Sequence, residues 1–339
     1  MARKTIFHSL LGELEQRIGR LPAGTILPAE QALADEYGVS KPTLRRALAE
    51  LAQHGLIRKE NGVGSVVVGA GSAMRRELIF LCNNLNFYAA TLSAFAARVR
   101  QENYFLSIVP LDGDAFTQEQ IIRTAIEQSP HGIAVSADHA CNDLPIYREL
   151  AAGAIPTVFL CRLPGGVESG SLAVIDNRRE FCRIVRHLYR EGCRRFAFYT
   201  DIPPSIAVVQ ERFSGFLDGM RRCRLKPQEN LLCLRQEQQE DFLHLFRSAA
   251  APDAVCCYND CAALKLLQLL RQNQIDHSKV RFAGYDNLSL LRYFPQKLFT
   301  AALPLAELGR EAAEILLRRI ENRSFKPVCK RLSAEILER

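Results

Sequence analysis

The side chains best placed to do chemistry are cations, hydroxyls and amides, and their spacing suits recognition rather than bond making. Ser40-Lys41-Pro42-Thr43-x-Arg45-Arg46 gathers two hydroxyls, an ammonium and two guanidinium groups in one short stretch. Those donors match phosphate oxygens and the edges of bases. Asn61-Gly62-x-Gly64 follows as a compact, glycine-rich tip. A second set consists of Asn83-Asn84, Asp138, Arg162, Asp176-Asn177, Asn259-Asp260 and Asp286-Asn287, each just after an apolar run. Strand ends are polar in most proteins, so one such residue carries little. Six at equivalent positions point to a pocket for a small polar molecule.

Bond-making constellations are weaker. Cys256-Cys257-x-x-x-Cys261 has no matching half for a zinc site and reads as a core strand running into a helix. Asp138-His139-x-Cys141 is no stronger, and Gly62-x-Gly64 and Gly69-x-Gly71 lack the strand-before, helix-after setting of a dinucleotide loop. There is no Gly-x-Ser-x-Gly elbow, no phosphate loop ending in Lys-Ser/Thr and no His-Glu-x-x-His. The expectation is a protein with no catalytic residues, no cofactor and no metal.

The elements that must position the first set lie between Pro28 and Val68. Pro28 suits a first helical position, and Ala29 to Glu36 are good helix formers. Gly38 supplies a sharp turn, after which Ser40 caps a second helix. At about 100° per residue, Leu44, Ala47, Leu48 and Leu51 share one sector, while Lys41, Pro42, Arg45 and Arg46 face away. Gly55 ends that helix. Leu56 to Lys59, the turn signal Asn61-Gly62 and Ser65 to Val68 then form a hairpin. Helix, turn, basic helix and wing make a winged helix-turn-helix of the α+β type, and double-stranded DNA is the expected partner. Alone, a basic helix face would be ordinary solvated surface; capped and flanked in this way it reads as a groove reader.

This stretch resembles the GntR family of transcription regulators. The likeness is carried by Leu27-Pro28-Ala29-Glu30, Leu33-Ala34, Gly38-Val39-Ser40-Lys41, Thr43-Leu44-Arg45, Ala47-Leu48, Leu51, Gly55-Leu56-Ile57 and Gly62-x-Gly64-Ser65-Val66. The resemblance implies that Ser40, Lys41, Pro42, Thr43 and Arg45 line a recognition helix and that Asn61, Gly62 and Gly64 form a wing tip near the minor groove. Gln31 stands where the family often has Arg, and Ala29 where it often has Ser. Gln31 is kept in the expected DNA-contacting set, although a contact through Arg would be lost there.

The chain has 339 residues, 48% of them hydrophobic, a formal net charge of +7 and 11 cysteines. Two domains fit that length. Residues 1–75 hold ten Lys/Arg against seven Asp/Glu, so the placement of charge matters more than its amount. An odd number of scattered cysteines suits reduced thiols in the cytoplasm. The N-terminus has no signal-peptide core, and the apolar run 151–161 is broken by Gly153 and Pro156. No membrane partner is expected.

Small and basic residues at 71–76 read as a linker between a DNA-binding domain at 1–70 and a larger domain at 77–339. In the larger domain, apolar runs at 78–82, 105–109, 132–136, 157–161, 172–175, 196–199, 254–258 and 280–284 alternate with amphipathic stretches. Buried strands separated by helices predict an α/β fold with parallel sheets, either one large or two smaller.

The larger domain resembles the effector domain of LacI-type repressors, akin to periplasmic sugar-binding proteins. Val174-Ile175-Asp176-Asn177, His187-Leu188 with Gly192, Arg212 to Phe216, Tyr258-Asn259-Asp260, Gly284-Tyr285-Asp286-Asn287 and Pro304 to Leu316 carry the likeness. It implies a two-lobed periplasmic-binding-protein-like domain that dimerises and holds an effector in its cleft, most simply a sugar. Arg212 would offer its fork of donors to sugar hydroxyls or a carboxylate, Asp286 and Asn259 would meet neighbouring hydroxyls, and Asp176 would sit beside the hinge. Asp138 and Arg162 are kept in the expected effector-binding set as polar strand-end residues. Phe87 and Tyr88 would stack on a sugar ring or serve as plain packing. Ile206 and Val208 are apolar where relatives often carry hydroxyls, which would admit a deoxy-sugar or a less polar effector. The expected activity is repression of carbohydrate genes, relieved by effector. A solute-binding protein of a sugar transport system is the alternative.

Overall fold

The computed structural model describes all residues except 1, 54, 61, 69–75, 139–140, 228–230, 235, 294–295 and 323. The chain divides into two compact units, Met1–Glu77 and Leu78–Arg339. Of the expected linker only Arg76 is a described residue.

In the first unit, helices α1 (Ala2–Ile18), α2 (Glu30–Glu36) and α3 (Lys41–Gln53) precede strands β1 (Ile57–Glu60) and β2 (Gly64–Val67). Leu10, Leu14 and Ile18 of α1 pack with Leu33, Leu44, Leu48 and Leu51 in one apolar core. Gly38, Gly55, Gly62 and Gly64 all have positive φ, a left-handed backbone that costs glycine little. Two sequence expectations shift. Helix α2 begins at Glu30 behind Ala29, whose methyl makes no cap, so Pro28 lies outside the helix. The wing register pairs Glu60 with Gly64 and Ile57 with Val67, giving a three-residue loop at 61–63 rather than a two-residue Asn-Gly turn.

The second unit holds two six-stranded sheets, not one large one. The first lobe contains β3 (Glu77–Cys82), α4 (Leu85–Gln101), β4 (Phe105–Pro110), α5 (Ala115–Glu127), β5 (Gly132–Ser136), α6 (Ile146–Ala152), β6 (Thr157–Leu160) and β7 (Ser171–Ile175). The second contains α7 (Asn177–Arg190), β8 (Phe196–Tyr199), α8 (Ala207–Arg222), β9 (Leu232–Cys233), α9 (Gln239–Leu245), β10 (Ala254–Cys257), α10 (Asp260–Gln272), β11 (Arg281–Tyr285) and β12 (Leu298–Ala302). The chain then returns through α11 (Leu305–Glu321), adds β13 (Cys329–Leu332) beside β7 in the first sheet, and ends as β14 (Glu335–Glu338) beside β12 in the second. It therefore passes between the lobes at β7–α7, β12–α11 and β13–β14.

Strand pairs such as β5 with β6 and β10 with β11 are parallel, and β14 runs antiparallel to β12. Apolar layers on both faces of each sheet account for the continuous hydrophobic runs. No helix among the described residues is long and apolar enough to cross a membrane.

Candidate functional site

Two surfaces gather the expected residues. On the first unit, Ser40 Oγ accepts from the Thr43 amide at 3.4 Å and lies 2.7 Å from its hydroxyl, so the start of α3 is organised by its own side chains. Leu44, Ala47, Leu48 and Leu51 are buried, and Lys41, Pro42 and Arg45 are exposed, with Thr43 half-buried. Arg46 turns aside to lie over the Phe7 ring at 4.7 Å. Gln31 is exposed and donates to Asp35 at 2.9 Å, one turn along α2. Gly62 and Gly64 are exposed on the wing, while Asn61 lies outside the described residues.

The sequence reading missed Glu30. Its carboxylate accepts from Arg45 Nε at 2.6 Å and stands 3.8 Å from Lys59 Nζ on β1. The bond from Arg45 holds Glu30 below its ordinary titration range, with Lys59 and Lys41 adding to the pull. One carboxylate thus ties a recognition-helix guanidinium to a wing ammonium and keeps both on one face.

The second surface lies at the carboxyl ends of the parallel strands, where Arg212 of one lobe is close enough to act on Cys161 of the other. Arg212 is its centre and is 7% exposed. Its guanidinium donates to Asn177 Oδ1 at 3.2 Å, the Tyr258 carbonyl at 2.8 Å and Asp286 at 3.5 Å, and lies over the Tyr285 ring at 4.0 Å. Burial pushes the Asp286 carboxyl up, and the bonds from Arg212 and Asn259 act against that. Asn259 also caps α10 by accepting from the Ala262 amide at 2.9 Å. Asn177 in turn donates to Glu211 at 2.7 Å.

From the first lobe, the Tyr88 hydroxyl lies 2.6 Å from Ser136 Oγ and donates to Cys161 Sγ at 3.3 Å. Burial dominates the raised Cys161 thiol, but Arg162 and Arg212 both lower it, so the guanidinium of one lobe is felt at the sulfur of the other. Tyr88 is buried in the first-lobe core and Phe87 packs edge-on to it at 5.0 Å, which favours packing over an open stacking platform. Two expected members are engaged elsewhere. Asp138 accepts from buried Gln118 at 3.2 Å. Asp176 caps α7 through the Arg179 amide at 3.0 Å and pairs with Arg331 at 3.3 Å, so it serves the hinge. Glu211, Ser136 and Cys161 join this surface without having been singled out, while Asn177 and Tyr258 were marked only as parts of Asp176-Asn177 and Tyr258-Asn259-Asp260.

Beneath Asp286, the loop that carries it is strained, with φ of +101° at Asp286 and +54° at Asn287. Fully buried Asp260 secures this loop by accepting from the Leu288 amide and the Thr300 hydroxyl, each at 2.8 Å. Burial raises its carboxyl from 3.8 to about 7 despite those bonds. A carboxyl that binds its proton more tightly folded than unfolded stabilises the fold fully only below its unfolded value. That contribution is lost as pH climbs from about 4 to about 7. Asp260→Asn should therefore flatten the pH dependence of stability in that window, removing a slope of up to about 1.4 kcal/mol per pH unit. Urea unfolding at pH 5 and pH 7 measures it; an unchanged slope would assign the titration to another group.

Cys256 and Cys257 are buried on β10 with thiols raised by burial, and Cys261 is exposed on α10. Among the described residues no three His, Cys, Asp or Glu side chains are grouped to hold a metal ion.

Residues 6–67 match the family of bacterial regulatory proteins called gntR, and residues 185–339 match the periplasmic binding protein-like domain. The chain is 24% identical over 330 residues to the arabinose metabolism transcriptional repressor of Geobacillus stearothermophilus, covering 91% of this chain and 89% of that protein. It is 24% identical over 267 residues to the HTH-type transcriptional regulator GalR of Escherichia coli K12, covering 75% and 74%. A crystal structure of a regulatory protein of the LacI family from Chloroflexus aggregans shares the fold, with a TM-score of 0.66 and 22% identity over 76% of this chain and 96% of that one.

Proposed function

We propose that this chain, a GntR-type winged helix-turn-helix unit joined to a LacI-type periplasmic-binding-protein-like unit, represses carbohydrate-utilisation genes and leaves its operator when a sugar occupies the cleft. The observation that carries the reading is the cleft itself. A buried guanidinium is shared among a carboxylate, an amide and a carbonyl at the strand ends, in a chain whose other unit exposes Lys41 and Arg45 on a capped helix. That first unit has no role in a transport-type solute receptor, which is why the regulator reading is preferred. Similarity to an arabinose metabolism repressor over 91% of the chain supports both the DNA and the carbohydrate side.

In this proposal Gln31, Ser40, Lys41, Pro42, Thr43 and Arg45 face the major groove, with Asn61, Gly62 and Gly64 at the minor groove. Arg212, Asp286, Asn259 and Arg162 meet the effector, with Asn177 and Glu211 behind Arg212. The second units pair two chains, so that half-sites lie about 34–36 Å apart or at a multiple of that spacing. Effector changes the lobe angle and hence the spacing of the reading heads. By linkage, effector weakens DNA binding by the same factor that DNA weakens effector binding.

Lys41→Ala should lower operator affinity nearly uniformly across sequences and reduce the slope of log affinity against log salt by about one. Fluorescence anisotropy on fragments from upstream of the gene, with and without sugars chosen by a thermal-shift screen, tests the whole reading. Failure of the protein to bind any such fragment at low salt would end it.

A further inference from the structure

A groove of about 860 Å³ opens on the second unit, and Arg212 is not among the residues that line it. It runs between α7 and α8, and β14 lines one side. Arg178, Arg179, Arg183, Arg186 and Arg190 reach it from α7 and Arg222 from α8. The two helices approach closely because Gly215 and Gly219 face α7; a Cβ at Gly215 would stand 2.3 Å from the Arg178 carbonyl oxygen.

Some of this charge is already balanced. Asp218 accepts from Arg178 at 2.6 Å, and Arg183 is held by buried Glu180 and by the Ala334 carbonyl. Among the described residues, Arg179, Arg186, Arg190 and Arg222 have no carboxylate partner within salt-bridge distance. Arg186 and Arg222 act together on the Cys182 thiol, lowering it against the burial that raises it, so guanidinium groups from both helices converge on one spot. Helix physics does not explain the arrangement. Cations belong near a helix C-terminus, as Arg190 is, but Arg178 and Arg179 sit in the first turn of α7, against the macrodipole. A concave site with converging, unpaired guanidinium forks is matched by clustered phosphate oxygens, which they bind in pairs. The volume suits a metabolite rather than a duplex, which would need a longer open face.

We propose that the groove between α7 and α8 is a second ligand site, separate from the cleft, for a small molecule that carries two or more linked phosphate groups. Asp176, Glu335 and Ile336 also line it; Asp176 lies in the β7–α7 passage between the lobes, and Glu335 and Ile336 open β14 just after the β13–β14 passage. A ligand there sits beside two of the three passages.

The test is calorimetric titration of the full chain with inorganic tripolyphosphate, ATP and sulfate, without divalent metal, at low and at moderate salt. Tripolyphosphate should bind one per chain. Arg186→Gln combined with Arg222→Gln should weaken it at least ten-fold, whereas Lys41→Ala should not. Tighter binding of ATP than of tripolyphosphate would extend the site to nucleotides; equal binding would confine recognition to the phosphates, and either supports it. Arg222 is exposed and Arg186 half-buried, and an unchanged melting temperature with unchanged operator affinity certifies the fold; exposed Arg190→Gln is the second variant if it does not. Absence of tripolyphosphate binding, or binding that the double substitution leaves intact, overturns the proposal. So does a double variant that loses affinity for unrelated duplex DNA alone, which would make the groove a second nucleic-acid face. Because neither helix belongs to the reading head, failure here would leave operator binding untouched.

Discussion

Arg212→Ala is expected to abolish release from the operator while leaving operator binding in place. The guanidinium organises four groups at once: Asn177, the Tyr258 carbonyl, Asp286 and the Tyr285 ring. Alanine removes the donors and leaves Asp286 buried without its cation. Truncating one partner of a buried pair costs about 3–5 kcal/mol, most of it the stranded charge. Asp286 escapes part of that cost by taking up a proton, since burial already pushes its carboxyl up. Two readouts should therefore move together. Affinity for the sugar selected by thermal shift should fall on the order of 100-fold, about 2.7 kcal/mol. The stability of the second unit should fall too, and less at low pH. Arg212→Lys keeps the charge without the planar fork and should recover the stability better than the sugar affinity. A variant that is still released normally would remove Arg212 from the effector site.

How much of this was legible from residue types depends on the physics each segment obeys. The winged unit reads well because its signals are local. Cap, glycine turn and helical period lie within one stretch, and Leu44, Leu48 and Leu51 are buried as that period requires. The parallel strands read well because burial on both faces makes them continuous apolar runs. Strand β12 did not stand out because Thr300 interrupts its run, and that hydroxyl is spent on buried Asp260. Strands β13 and β14 are short, charged edge strands whose partners lie 157 and 33 to 39 residues back in the chain, and nothing local marks such pairing.

The cleft was half legible. Polar residues at strand ends located it, but which of them turn inward depends on competition between local caps and long-range partners. Asp176 satisfies a helix start and Arg331, whereas Asn177, one residue on, reaches Arg212. Glu30 was hidden for a related reason. It reads as a good helix former, and its bond to Arg45 spans 15 residues and exists only once α2 and α3 have packed.

Gly309→Ala should destabilise the second unit even though helix propensity argues the other way. In an isolated helix alanine is better than glycine by about 1 kcal/mol. At Gly309, on α11, an added Cβ would lie 2.1 Å from the Thr91 carbonyl oxygen and 2.9 Å from the Thr91 carbonyl carbon. Those are backbone atoms of α4 and cannot swing aside as a side chain would, so the two helices must separate. Separation stretches the bond from the Thr91 hydroxyl to the Leu305 carbonyl and loosens Phe95, Leu308, Ala312 and Leu316, all fully buried between sheet and helices. Overpacking of this kind costs about 1–3 kcal/mol, and a rigid backbone contact places it at the upper end. The expected net effect is thus a loss of roughly 2 kcal/mol, with Gly309→Val worse. The sign alone decides the matter. A melting temperature that rises would mean that the helix pair opens without cost, and that the passage at Leu303–Leu305 is not held rigid by α4. A fall, accompanied by a weaker response of operator binding to sugar, would tie the packing of the first lobe to the lobe angle that the effector sets.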